Sequence, residues 1–163
     1  SIRTLFTWKI ALLFLKREVK IIKKLVKDID SQKATTALNI ERTFAIEDHS
    51  RQFSINMVLE HLIIAGSAVQ KIIQTLSEEK EFASEVKIEN VKPHKNKENQ
   101  FDEFVSFYEN YFEAIENLPK VQSKTKKKHP WFVEFNNFDW SVFMYMHTFI
   151  HRRQIQAILK ELQ

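Results

Sequence analysis

A chain of 163 residues with one glycine and three prolines has few places to reverse direction tightly. Glycine supplies the positive φ that short turns need, and proline interrupts helices. Their scarcity favours long helices joined by loops of ordinary polar residues, and the abundance of leucine, lysine and glutamate points the same way. The length suits one domain with its own core, spanning 1–163. There is no cysteine, so a disulfide framework, a thiolate metal site and a cysteine nucleophile are all excluded. Any chemistry must come from other side chains.

Four segments carry a helical apolar period. In the first, Leu5, Leu12, Val19 and Val26 recur at seven beside Trp8, Leu15, Ile22 and Ile29, giving one apolar seam edged by lysines. A polar stretch from Asp30 to Gln52 follows, ending in "EDHSRQF". Ser54 then stands where a cap is needed for a second helix over about Ile55 to Leu76, whose stripe is Met57, Val58, Ile64, Ala65, Ala68, Val69, Ile72 and Leu76. His61 lies in that stripe, and Gly66 in "AGSA" reads as a point of close helix approach. A charged link to about Asn99 includes "EVKIENV", read as a short strand. The third helix, about Gln100 to Leu118, presents Phe101, Phe104, Val105, Tyr108, Phe112 and Ile115 on one face with acids opposite, and Pro119 stops it. Asn136 and Asp139 form a capping pair for a last helix that runs to the C-terminus. The expected fold is all-α, a four-helix bundle with long irregular loops between helices.

The net charge of +4 is modest, and much of the excess lies in "KTKKKHP", where Lys124, Lys126, Lys127 and Lys128 precede His129. A short lysine run in a loop is ordinarily solvated. No reading motif and no interleaved aromatics accompany it, so nucleic acid is not the expected partner. The apolar run from Ile10 to Leu15 falls well short of the roughly 20 residues of a spanning helix. It is flanked by Lys9, Lys16 and Arg17, and no cleavage pattern follows it. A cytoplasmic protein without a membrane partner is the plain expectation.

The stretch "HTFIHRRQI" concentrates the chemistry. At about 100° per residue, Trp140, Phe143, Met144, Ile150, Gln154 and Ile158 share a face with His147 and His151, so both imidazoles point inward. Side chains four apart on a helix can converge on one ion without backbone strain. His61 occupies the equivalent place on its own helix. Two readings stay open here: three hydrogen-bonded core histidines, or three metal ligands. Burying a polar ring without a partner costs about 1–3 kcal/mol, which coordination would offset. Periodicity alone cannot bring the two helices side by side.

"FSINMVLEHL" followed by "HTFIHRRQI" resembles the DinB-like superfamily, four-helix bundles with one histidine on the second helix and H-x3-H on the fourth. "HPWFVEF" resembles the H-P-W-F-G segment of one branch, with Val133 where that branch has glycine. The resemblance spans essentially the whole chain in element order. It implies a divalent metal (zinc, nickel, iron or cobalt) held by His61, His147 and His151, with other positions open to water or substrate. It also implies a metal-dependent enzyme acting on a small molecule, either a hydrolase or a low-molecular-weight thiol S-transferase. The alternative is a non-catalytic metal- or ligand-binding bundle of stress response. The expected partner is a small-molecule substrate or ligand, with a homodimer left open.

No H-E-x-x-H supplies a general base, since Thr148, Phe149 and Ile150 lie between the two histidines. Glu60 points about 100° away from His61 and reads as a solvated acid. Asp48 and Glu134 read as turn or surface acids. Gln154, one turn beyond His151, is placed to orient a ligand from outside the coordination sphere or to serve as a satisfied core amide. Arg152 and Arg153 flank the stripe and suit pairing with surface acids. His129 and Trp131 either close a pocket mouth or anchor their loop, and His49 and His94 read as loop residues.

Overall fold

The computed structural model describes residues 2–85, 92–93, 96–130 and 133–163, with side chains from Thr7 onward. The short strand expected at "EVKIENV" falls on residues 86–91, outside the described residues, as do His94 and Trp131. The elements in chain order are α1 (Ile2–Val26), α2 (Ser31–Thr35), a 3-10 turn (Asp48–Gln52), α3 (Ile55–Ser77) and α4 (Gln100–Glu116). Two short strands follow, β1 (Lys127–Lys128) and β2 (Glu134–Phe135), and then α5 (Asn137–Glu161). The four long helices form an all-α four-helix bundle, and their buried faces meet in one hydrophobic cluster.

Local chemistry sets the helix ends. Ser54 Oγ accepts the Met57 N–H at 3.1 Å to start α3. Asn136 and Asp139 form the expected reciprocal box at α5: Asn136 Oδ1 accepts the Asp139 N–H at 2.8 Å, and Asp139 Oδ2 accepts the Asn136 N–H at 3.0 Å. The next residue, Asn137, is fully buried and ties three segments together. Its Nδ2 donates to Ser77 Oγ at 3.0 Å and to the Val121 carbonyl at 2.9 Å, while its Oδ1 accepts the Ser123 N–H at 2.8 Å.

Side-chain pairs fix the helix directions. Trp8 meets Phe138, Phe14 meets Tyr145 and Glu18 meets Arg152, so α1 and α5 run the same way. Ser77 at the end of α3 meets Asn137 at the start of α5, and those two helices are antiparallel. Asn56 donates to the Lys97 carbonyl and Gly66 faces Phe107, which makes α4 parallel to α3. The order is therefore up, down, down, up. A parallel α3–α4 pair obliges the link 78–99 to travel back along the bundle, which is why a tight turn would not serve there.

The apolar seam of α1 is buried as expected, with Trp8, Leu15, Val19, Ile22 and Val26 each at most 2% exposed. On α3 the buried stripe is wider than expected. Leu59, Leu62 and Ile73 are as enclosed as Val58 and Ile72, whereas Met57, Ile64 and Ala68 are only half-buried. The reason is that α3 is flanked by α5, α4 and the short α2, so it has no single inward face. Glu60, expected to be solvated, is buried for the same reason. On α4, Tyr111 joins the core too, close to one turn beyond Tyr108 and two beyond Phe104. Arg152 pairs with an acid as expected, but away from solvent: its Nε and Nη2 donate to the two carboxylate oxygens of buried Glu18 at 2.6 and 3.2 Å. The lysine run is held as β1 against β2, and Glu79 fastens it by accepting the Lys124 and Thr125 N–H groups at 2.8 and 3.0 Å.

Gly66 sits where α3, α4 and α5 approach. A Cβ placed there would stand 2.6 Å from Phe107 Cζ and 2.7 Å from Met144 Cε. Gly66→Val is expected to lower the unfolding free energy by about 2 kcal/mol through overpacking, read as a shifted urea midpoint. An unchanged midpoint would mean that the three helices do not close at this residue.

Candidate metal centre

The antiparallel pairing of α3 and α5 brings three imidazoles together. His61 stands two turns into α3; His147 and His151 stand on successive turns of α5. Their ring centroids are 5.0 Å (His61–His147), 4.5 Å (His61–His151) and 4.5 Å (His147–His151) apart. One ligand nitrogen from each lies within 4.8 Å of the others, so the three are close enough to bind a metal ion. No carboxylate joins this cluster among the described residues.

Nitrogens bound at about 2.0–2.1 Å to one tetrahedral ion sit about 3.3 Å apart, and cis nitrogens of an octahedral ion about 3.0 Å apart. His61 Nε2 and His147 Nε2 are 3.0 Å apart. That spacing fits either geometry with little change. Closing the wider spacings asks for imidazole rotation about χ1 and χ2, with the backbone left in place. The donor set, three imidazoles without a carboxylate or thiolate, suits the borderline transition ions rather than calcium or magnesium.

Gln154 is fully buried and its amide is fixed at both ends. Nε2 donates to the Ser50 carbonyl at 2.6 Å, which leaves Oε1 to accept from His151 Nδ1 at 2.7 Å. With the proton on Nδ1, the Nε2 lone pair of His151 is free to face the other two imidazoles. The 3-10 turn that supplies Ser50 thus orients a histidine more than a hundred residues away in the chain.

Burial sets the charge state. It pushes His147 well below the usual imidazole range, with the neighbouring His151, His61 and His129 adding to the effect. His151 is pushed down to about 3 by burial and by His61, against a smaller opposing effect of Gln154. Both rings are neutral near pH 7, the form that donates lone pairs. His129, held among Phe135, Trp140 and Phe143, is pushed down to about 4 by burial.

The three imidazoles form part of the wall of a cavity of about 470 Å³. Phe53, Ala65, Val69, Phe138, Phe143, Met146 and Ile150 are among the apolar residues that line the rest. This explains why Phe143, His147 and Ile150, expected in the core, are half-buried: they face this space. His129 lines it too, so its loop does close on the pocket. His49, read as a plain loop residue, also lines it, and its Nε2 is 3.0 Å from Glu47 Oε2. No periodicity marks residues 45–50, so only the folded chain could place them. Asp48 is exposed beside Arg42, Glu134 is exposed on β2, and Arg153 is exposed on α5; none of these lines the cavity.

No family model matches the chain, and no curated protein does. Among solved structures it is similar to the crystal structure of TT2238, described as a four-helix bundle protein. The two agree at a TM-score of 0.61 with 21% identity, over 92% of this chain and 98% of that one. The likeness extends to the fold. No described helix is long and apolar enough to cross a membrane.

A histidine whose pKa is depressed in the folded state is protonated first in the unfolded chain. Its stabilising effect is therefore complete above the ordinary value of 6.5 and is lost as pH falls from there toward the folded value, about 3 for His151. The metal-free protein is expected to lose stability below pH 6.5 by about 1.4 kcal/mol per pH unit for each such histidine. Urea titrations from pH 7.5 to 4.5 read the slope, and His151→Gln should reduce it by about one histidine's share. A variant with the parental slope would contradict the neutral, buried assignment.

Proposed function

We propose that His61, His147 and His151 hold a divalent metal ion, and that the protein is a metal-dependent enzyme acting on a small molecule. The observation that carries this reading is the coincidence of two features: three imidazoles converge, and the same three imidazoles line a ligand-sized cavity. A closed structural site would have four protein ligands and no cavity against it. The resemblance of "FSINMVLEHL" and "HTFIHRRQI" to the DinB-like superfamily supports the same assignment.

When bound, the ion supplies Lewis acidity to a carbonyl, a water or a thiol held against it. The chain's own residues do the rest. The three imidazoles bring no negative charge, so the ion's charge is left for the substrate. Gln154 keeps the His151 proton on Nδ1 and the ring in one orientation. Phe143 and Val69 give one side of the site an apolar wall, and His129 stands neutral at the same cavity. The reaction is either hydrolysis or S-transfer from a low-molecular-weight thiol. S-transfer needs no carboxylate base, because a thiol bound to an ion ionises readily.

One observation favours a second reading, a non-catalytic metal- or ligand-binding bundle. His61 and His147 are within hydrogen-bond distance of each other, and His151 bonds to Gln154, so all three rings have polar partners without an ion.

Protein purified without chelator is expected to carry one equivalent of transition metal, measured by elemental analysis. The His147→Ala, His151→Ala double variant should carry none. Gln154→Leu should bind it about 10- to 100-fold more weakly. Full occupancy in the double variant would sink the site. Turnover among a panel of esters, amides and thiol–electrophile pairs, lost in that variant, supports the enzyme, and metal binding without any turnover would favour the second reading.

A further inference from the structure

Resting on the metal reading above, we infer that the cavity takes an amphiphilic small molecule: an anionic head against the three imidazoles and an apolar aliphatic or aromatic body along Phe53, Val69, Phe138, Phe143 and Met146. Two features of the cavity carry this, one for each half of the ligand.

The head follows from charge. A divalent ion on three neutral imidazoles keeps its full positive charge, and the surrounding apolar wall screens that charge poorly. Two carboxylates also line the cavity, but neither joins the imidazole cluster and each is held by another partner. Asp139 Oδ2 accepts the Asn136 N–H in the α5 cap at 3.0 Å, and Glu47 Oε2 is paired with His49 Nε2 at 3.0 Å. Lys92, on the same lining, adds positive charge. A carboxylate or thiolate on the incoming molecule therefore neutralises a charge that the protein leaves open.

The body follows from the wall. At about 470 Å³ the cavity lies within the range of small-molecule sites, about 300–1,000 Å³. Much of it extends past the imidazoles along side chains that offer no hydrogen bond, where a small hydrophilic anion would leave apolar surface against water. Each methylene of a longer ligand that replaces that water strengthens binding several-fold.

The test compares octanoate, acetate and octanol on cobalt(II)-loaded and metal-free protein, by calorimetry and by the visible spectrum of the bound cobalt. On the loaded protein octanoate is expected to bind at least 100-fold tighter than acetate and at least tenfold tighter than octanol, and to perturb the cobalt spectrum. Without metal, octanoate and octanol should agree within about threefold. Met146→Glu alters a half-exposed position on the apolar wall, and so should fold normally. It is expected to weaken octanol at least tenfold on metal-free protein, where neither the anionic head nor the ion contributes. Equal binding of acetate and octanoate would overturn the apolar body, and equal binding of octanol and octanoate to loaded protein would overturn the anionic head. Protein that takes up no cobalt would overturn the metal reading and the anionic head with it; octanol binding to that protein would still be required for the apolar body.

Discussion

The antiparallel packing of α5 against α3, with α1 along the other side of α5, is the arrangement on which everything else in this protein depends. α5 is the shared wall of the bundle. Toward α1 it offers Tyr145 and Arg152, the latter in a two-pronged pair with buried Glu18. Toward α3 it offers His147 and His151. A helix clamped on both sides cannot rotate about its axis without breaking a buried ion pair, and an unpartnered buried charge is costly. The registry of Glu18 with Arg152 thereby holds the two imidazoles toward His61.

The three imidazoles are tolerated beside the core because each is hydrogen-bonded, and His147 and His151 are held neutral. His61 and His147 meet through Nε2, and His151 gives its Nδ1 proton to Gln154, whose other end is secured by the Ser50 carbonyl. The cluster is thus a satisfied polar network before any ion arrives, and it needs only a tautomer change at one Nε2 and small ring rotations to become a ligand set. Among the described residues no carboxylate joins this ligand set, which shapes what could bind beside it.

The loops are long for a structural reason. The link 78–99 has to return along the bundle because α3 and α4 are parallel, and residues 45–50 and 129–130 wrap inward to roof the cavity. Residues 45–50 and 129–130 carry no apolar repeat that would mark them in the sequence. Loop partners, such as Asn96 bonded to Ser54 and Glu79 bonded to the 124–125 backbone, are distant in sequence.

The sequence by itself determined the helices, their caps and the inward direction of the histidines. Scarce glycine and proline, the seven-residue seam of α1, Ser54 and the Asn136–Asp139 box are local signals, and local hydrogen bonding and periodicity decide them. It also singled out Gly66 and Gln154, because a lone glycine and a lone amide on apolar stripes are conspicuous. Only the tertiary structure decided that Glu60 and Glu18 are enclosed, that His49 and His129 face the cavity, and that His61 meets His147 and His151. Those facts turn on which helix stands beside which and in which direction. A helical wheel carries the angle of each residue about its own axis and no information about its neighbour.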